Sequence, residues 1–234
     1  MNSIAESLHA VRHRIAAAAD RAARHPNEIT LVAVTKTHPV DVMLQAVVAG
    51  VTDVGENRVQ EALDKKRGME AAGAGLRWHL IGHLQTNKAK SAIEHFDLIH
   101  SVDSLALAQA LNKHASVADK VQSILLQFNV SGEDTKFGAN PRNAHELTTQ
   151  VLQTCPSLRI DGFMTMAPFS DNPEDARPHF RALREVAQTL RTEFQNAPNF
   201  PATHLSMGMT GDFEVAIEEG ATIVRIGSAI FGGR

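Results

Sequence analysis

The stretch LVAVTK at residues 31–36 places an unbroken apolar run directly before a lysine. β-Branched residues favour strands, and comparable short apolar runs recur along the chain. We predict eight strands, at residues 31–34, 53–54, 79–81, 98–100, 124–130, 159–164, 204–206 and 222–226. Segments with helical signals separate them, at residues 40–48, 58–72, 86–93, 105–114, 141–152, 174–194 and 213–218.

This alternation predicts an α/β protein with a parallel sheet, because a parallel neighbour is reached only through a long crossover. Eight strand–helix units favour closure into a (β/α)8 TIM-type barrel, with an open doubly wound sheet as the alternative. Ser3 and Glu6 form a capping box that starts an amphipathic helix ending near residues 25–26. We therefore expect an extra N-terminal helix, and one domain over residues 1–234 because no linker interrupts the pattern.

Composition excludes several classes of function. The 234 residues carry a net charge of -3, so we expect no nucleic-acid partner, which an extended positive field would attract. No apolar run is long enough to span a membrane and the N-terminus lacks a signal pattern, so we expect a cytoplasmic protein. Cys155 is the only cysteine, which rules out an internal disulfide and a thiolate metal cluster. His9 and His13 lie one turn apart and are interpreted as surface residues, so no metal site is predicted.

Functional side chains of a barrel gather at the C-terminal ends of its strands, and Lys36 lies at such an end. Partial desolvation there would lower the pKa of the amine and free its lone pair for attack on an aldehyde. The alternative is a lysine that reaches solvent or pairs with a carboxylate.

Two glycine- and hydroxyl-rich loops, at residues 206–210 and 227–228, follow the last two predicted strands. Barrels often bind phosphate there through backbone N–H groups, although such residues also simply make turns. Arg225 lies among apolar residues of the eighth strand, either as a structural ion pair inside the barrel or as the partner of a cofactor ring nitrogen. A lysine and a phosphate loop on one rim indicate a phosphorylated carbonyl ligand.

Five separated motifs now carry a family resemblance: VTKTHP at 34–39, GENRVQE at 55–61, HLIGHLQTNK at 79–88, SMGM at 206–209 and VRIGSAIFG at 224–232. Together they resemble the pyridoxal phosphate homeostasis protein family, over nearly the whole chain from residue 31 to residue 232. That family's fold resembles the barrel domain of bacterial alanine racemase, in agreement with the strand count.

The resemblance implies pyridoxal 5'-phosphate as the cofactor and assigns its contacts. Lys36 would carry the cofactor as an imine, Arg225 would face the ring nitrogen, and Asn57 would lie beside the cofactor. The phosphate contacts implied are Ser206, Gly227 and Ser228, with Met207 and Thr210 nearby. His83 belongs to a family motif without an assigned chemical role.

The function implied is intracellular pyridoxal phosphate and amino-acid homeostasis, without catalysis. Alanine racemase uses a second base, a tyrosine from a separate domain, whereas this chain has no tyrosine and ends after the last predicted strand. An arginine at the ring nitrogen would also make the ring a weaker electron sink. We therefore expect a monomer that stores the cofactor or hands it to apo-enzymes. The alternatives are a pyridoxal-phosphate-dependent racemase or related enzyme with Lys36 as sole base, and a Schiff-base lyase acting on sugar phosphates.

Overall fold

The computed structural model describes residues 3–133 and 137–233. Within them, eight parallel strands close into a barrel in chain order, and β1 pairs with β8. The strands are β1 Thr30–Val34, β2 Asp53–Glu56, β3 Arg77–Leu80, β4 Leu98–Val102, β5 Gln122–Gln127, β6 Leu158–Met164, β7 His204–Ser206 and β8 Ile223–Ile226. The predicted barrel is confirmed, and the open sheet is wrong because no break separates the first strand from the last.

Helices surround the barrel: α1 Ile4–Arg21, α2 Val40–Val48, α3 Val59–Ala71, α4 Ala89–His95, α5 Leu105–Val117, α6 Ala144–Thr154, α7 Arg177–Glu193, α8 Phe213–Glu218 and α9 Ser228–Phe231. The N-terminal helix begins at the expected capping box, in which Ser3 and Glu6 exchange hydrogen bonds. It ends earlier than predicted, because Ala23 adopts a positive φ of 52° that no α-helix continues. Residues 228–231 form a short helix that the sequence pattern did not predict. None of the helices in the described ranges is long and apolar enough to cross a membrane.

The strands present alternate side chains to the barrel interior and to the helices. A small apolar cluster fills the interior: Val32, Leu98, Leu125, Met164 and Ile223. The larger apolar core lies between the strands and the helices, and includes Ala33, Val54 and Leu80. Because Val32 points inward, the same two-residue period carries Val34 and then Lys36 onto the inner side of the barrel.

Gly55 lies on this inner face where the wall of the barrel is crowded. A β-carbon there would lie 2.8 Å from Val32 Cγ1 and 3.0 Å from Ile81 Cδ1. Neighbouring strands therefore pack against one another directly at this position, and the interior is closed beneath the rim.

Candidate functional site at the C-terminal rim

A cavity of about 660 Å³ opens at the C-terminal ends of the strands. Its wall includes five of the predicted site residues: Lys36, Thr210, Arg225, Gly227 and Ser228. The segment after β6 forms another part of the wall, including Met166 and Phe169. Phe169 is 94% exposed, so an apolar ring stands in solvent at the mouth of the cavity. Residues of β1 and β8 and of the segments that follow β1, β6, β7 and β8 thus meet in one concave site.

Lys36 is half-buried and lines this cavity. Its amine forms no hydrogen bond or ion pair with any side chain or carbonyl in residues 3–133 and 137–233. The alternative in which Lys36 pairs with a carboxylate is therefore wrong within the described chain. A half-buried amine without such a partner is available for covalent chemistry.

The backbone on both sides of Lys36 is held by residues of α3. Lys65 Nζ donates a hydrogen bond of 2.7 Å to the carbonyl oxygen of Thr35. The backbone N–H of Thr37 donates to Glu61 Oε1, and Thr37 has a positive φ of 66°. These contacts fix the strand end and the turn after it, so they position the lysine between them.

A buried charge cluster stands behind these contacts. Lys65 Nζ lies 2.8 Å from Glu56 Oε1 and 2.6 Å from Glu61 Oε1, and the Thr35 hydroxyl donates to the same Glu56 oxygen at 2.6 Å. Glu56 is fully buried, and its Oε2 has no hydrogen-bond partner among the described residues. Burial raises the pKa of Glu56, although Lys65 and Thr35 oppose that change. The ionised form of Glu56 therefore depends on Lys65 for its stabilisation.

Arg225 enters the cavity from β8 and is 3% exposed. Its Nη1 donates to Ser206 Oγ at 2.6 Å and its Nη2 donates to the Thr165 carbonyl oxygen at 3.0 Å. Burial lowers the pKa of Arg225 to about 10, with Asp212 opposing the shift, so the guanidinium stays charged at neutral pH. Among the described residues it has no carboxylate within ion-pair distance, so the alternative of a structural ion pair inside the barrel is not found as a direct contact.

The two predicted phosphate loops lie side by side in the cavity wall. Backbone N–H groups of Thr210, Gly211, Gly227 and Ser228 donate no hydrogen bond to another described residue. The Ser228 hydroxyl donates to Thr210 Oγ1 at 3.2 Å, which joins the loops. Unpaired N–H groups concentrated at one wall form a site that suits an anion.

Asp212 is the carboxyl group beside these donors. It lines the cavity and accepts a hydrogen bond of 2.6 Å from the Met209 N–H. Burial raises the pKa of Asp212, although that hydrogen bond and the charge of Arg225 oppose the shift. Proximity to an anion would raise it further, because like charges disfavour ionisation.

Three predicted site residues lie outside the cavity wall. The Ser206 hydroxyl is buried between Arg225 and His100 Nδ1, which lies 2.9 Å away. Met207 is fully buried in the core between strands and helices, and Asn57 is half-buried after β2 with its backbone against Gly82. Their contacts with a cofactor stay predictions.

His83 lies in a separate surface groove with Gln85 and Asp103. Its ring stacks on Phe137 at a centroid distance of 3.9 Å, and its Nδ1 lies 3.8 Å from Asp103 Oδ2. The structure therefore separates His83 from the Lys36 cavity.

Sequence reasoning did not identify the polar residues inside the barrel. Asp53, His79 and His100 are each buried, and they connect by hydrogen bonds to Ser206. Their only sequence signal is the two-residue period, which places Asp53 on the same inner face as Gly55. The two-residue period of a strand predicts which side chains point into the barrel, but it does not predict which side chains of other strands they contact.

The fold and the cavity together define a (β/α)8 barrel protein with an unpaired lysine, a buried arginine and an anion site on one rim. Residues 7–234 match the family model of the alanine racemase N-terminal domain. A pyridoxal phosphate homeostasis protein of Aquifex aeolicus is 46% identical over 98% of this chain and 97% of its own length. The Escherichia coli K12 protein of the same name is 41% identical over 100% of this chain and 98% of its own. This chain therefore belongs to the alanine racemase N-terminal domain family, among its pyridoxal phosphate homeostasis proteins, and the resemblance found in the sequence is confirmed.

Solved structures agree with this placement. PipY of Synechococcus elongatus, solved with pyridoxal phosphate bound, is 36% identical, with a TM-score of 0.84 over 98% of this chain and 100% of its own. D-threo-3-hydroxyaspartate dehydratase of Delftia sp. HT23 is 20% identical, with a TM-score of 0.68 over 95% of this chain and 59% of its own. The second similarity concerns the fold alone.

Proposed function

We propose that this chain binds pyridoxal phosphate in the rim cavity as an imine with Lys36 and acts in vitamin B6 and amino-acid homeostasis. The observation that carries the proposal is the unpaired Lys36 amine, which shares one cavity with Arg225 and with four unpaired backbone N–H groups. The cofactor-bound state of PipY and the names of the relatives from Aquifex aeolicus and Escherichia coli support it.

The residues fit each part of this cofactor. Pyridoxal phosphate supplies an aldehyde that a neutral amine can attack, and Lys36 is the lysine on the cavity wall. Its phosphate dianion matches the loops at Thr210 and at Gly227 and Ser228, where small side chains let the backbone approach. Its ring nitrogen would face Arg225, which donates hydrogen bonds and accepts none.

The test is Lys36→Ala, compared with Lys88→Ala as a matched variant of an exposed lysine that does not line the cavity. Lys36→Ala should abolish the imine absorbance of the protein mixed with pyridoxal phosphate, while Lys88→Ala retains it. After borohydride reduction, peptide mass spectrometry should find the pyridoxyl adduct on Lys36. An adduct on another lysine, or unchanged absorbance in Lys36→Ala, would refute the assignment.

The same proposal holds that the protein does not catalyse amino-acid chemistry. The sequence has no tyrosine to serve as the second base of a racemase, and the Arg225 guanidinium remains charged at neutral pH. A charged arginine retains its proton, so the ring nitrogen facing it would stay unprotonated. Solvent-deuterium exchange at Cα of a panel of amino acids should not exceed that of Lys36→Ala; exchange above that level would favour the alternative, an enzyme with Lys36 as sole base.

We further propose that the chain acts as one barrel domain, as a cytoplasmic monomer that hands the cofactor to apo-enzymes. Size-exclusion chromatography with light scattering should give the mass of one 25.4 kDa chain. Transfer is measured by reactivation of an apo-enzyme mixed with loaded protein, in the presence of a phosphatase that destroys free pyridoxal phosphate. Reactivation no faster than with the same amount of free cofactor would contradict direct transfer.

A further inference from the structure

A row of buried polar side chains runs through the barrel interior beneath the rim cavity. Arg225 Nη1 lies 2.6 Å from Ser206 Oγ, which lies 2.9 Å from His100 Nδ1. His100 Nε2 lies 2.9 Å from His79 Nδ1, and His79 Nε2 lies 2.9 Å from Asp53 Oδ1. Asp53 is the most exposed of the five, at 7%. We call this row the Asp53–Arg225 chain. It links β2, β3, β4, β7 and β8 through contacts between side chains alone.

The two ends fix the proton positions in the chain when both histidines are neutral. A guanidinium can only donate, so Ser206 Oγ accepts from Arg225, and its own proton is available to a neutral His100 at Nδ1. A carboxylate can only accept, so His79 Nε2 donates to Asp53. His100 must then donate from Nε2 to His79 Nδ1. In this arrangement each histidine is neutral and carries its proton on Nε2.

The surroundings agree with neutral rings. His100 is fully buried, and burial together with the charge of Arg225 holds its pKa well below the ordinary value. For Asp53, burial acts to raise the pKa, but hydrogen bonds from His79 and Thr52 and the charge of Arg77 lower it overall. The chain therefore ends in a carboxylate, while the buried Arg225 has no carboxylate in direct contact among the residues described.

We propose that Asp53, His79 and His100 are positioning residues for Arg225: they act through Ser206 to fix its guanidinium in the rim cavity, with Asp53 as its remote charge partner. The link to cofactor binding rests on the function proposed above, whereas the proton arrangement does not. Because every donor points from the rim toward Asp53, removing the charge of Asp53 also removes the feature that fixes the direction of the chain. An asparagine at that position can donate as well as accept, so both histidine tautomers become accessible.

The experiment compares Asp53→Asn with Asp161→Asn in the full chain. Asp161 is a matched control, because it is another buried aspartate on a strand, and its carboxylate pairs with Arg159 at 2.6 Å outside the chain. Nitrogen-15 spectra of the histidine side chains, assigned with His79→Gln and His100→Gln, report which ring nitrogen carries the proton. Titration with pyridoxal phosphate reports its Kd and its absorption maximum.

In the unsubstituted protein both histidines should show the neutral form protonated at Nε2. Asp53→Asn should add the form protonated at Nδ1, raise the Kd for pyridoxal phosphate about tenfold and shift the absorption maximum, whereas Asp161→Asn should change none of these. Tenfold is the low end of what one hydrogen bond to a charged group contributes. Ser206→Ala, which removes the link next to Arg225, should weaken binding in the same direction and serves if Asp53→Asn does not fold.

Two results would overturn the proposal. One is an Nδ1–H form at either histidine of the unsubstituted protein. The other is a Kd in Asp53→Asn and Ser206→Ala equal to that of Asp161→Asn. If the unsubstituted protein binds no pyridoxal phosphate at all, the function proposed above fails, and the histidine tautomers alone decide the Asp53–Arg225 chain.

Discussion

Replacing Lys65 by methionine is expected to destabilise the protein far more than replacing its sequence neighbour Lys66. Lys65 Nζ donates to Thr35 O, Glu56 Oε1 and Glu61 Oε1, at 2.7, 2.8 and 2.6 Å. Methionine retains most of the apolar stem of the lysine, so the loss is mainly electrostatic. Removing one partner of a buried ion pair costs about 3–5 kcal/mol, because the remaining charge is left uncompensated.

The cost should depend on pH, because Glu56 is the charge left behind. Burial already raises the pKa of Glu56 in the folded protein, and loss of Lys65 raises it further. A carboxyl group whose folded pKa exceeds its unfolded pKa destabilises the fold at high pH and ceases to do so as pH falls toward the unfolded value of about 4.3. The cost of Lys65→Met should therefore be larger at pH 8 than at pH 5.5.

Urea unfolding at these two pH values measures the effect. Lys66→Met is the matched control: Lys66 Nζ donates to the His95 carbonyl oxygen at 2.9 Å and pairs with no buried carboxylate in residues 3–133 and 137–233, so its cost should stay near 1 kcal/mol at both pH values. The double variant Lys65→Met with Glu56→Gln should recover part of the loss. A cost of Lys65→Met below about 1 kcal/mol, or one that is equal at pH 5.5 and pH 8, would refute the role assigned to this cluster.

Three further outcomes are expected. Gly55→Ala should cost about 1–3 kcal/mol in urea unfolding, because its β-carbon would overlap Val32 Cγ1 at 2.8 Å, whereas Gly75→Ala, which meets nothing within 4 Å, should be nearly neutral; equal costs would contradict the crowding. Ser228→Ala should weaken pyridoxal phosphate binding more than pyridoxal binding. The Kd for pyridoxal divided by the Kd for pyridoxal phosphate should therefore shrink, and an unchanged ratio would argue against a phosphate contact. Cys155 is 2% exposed and burial raises the pKa of its thiol, so Ellman's reagent should label it at the rate of unfolding, and rapid labelling of the folded protein would contradict this.

The sequence predicted the strands and the rim because both depend on local patterns. An apolar run with a two-residue period carries Lys36 onto the same face as Val32, and the same period places Arg225 with Ile223 inside β8. The glycines at 50, 73 and 220 follow helical patterns in the sequence, and they adopt positive φ values of 91°, 72° and 98°. These features need no knowledge of which strands meet.

The interior could not be predicted because it depends on partners across the barrel. Asp53, His79 and His100 come from three strands, and their hydrogen bonds require the register of a closed sheet that no local pattern specifies. Met207 directly follows the inward-facing Ser206, so alternation directs its side chain toward the helices, where it is fully buried.

The pairing of β1 with β8 has a consequence for synthesis of the protein on the ribosome. Lys36 leaves the exit tunnel well before the strand that pairs with β1 and carries Arg225. A nascent chain therefore holds the Lys36 amine long before Arg225 and the loop at residues 227–228 can lie beside it. The rim cavity with all of its walls can form only after β8 has left the ribosome.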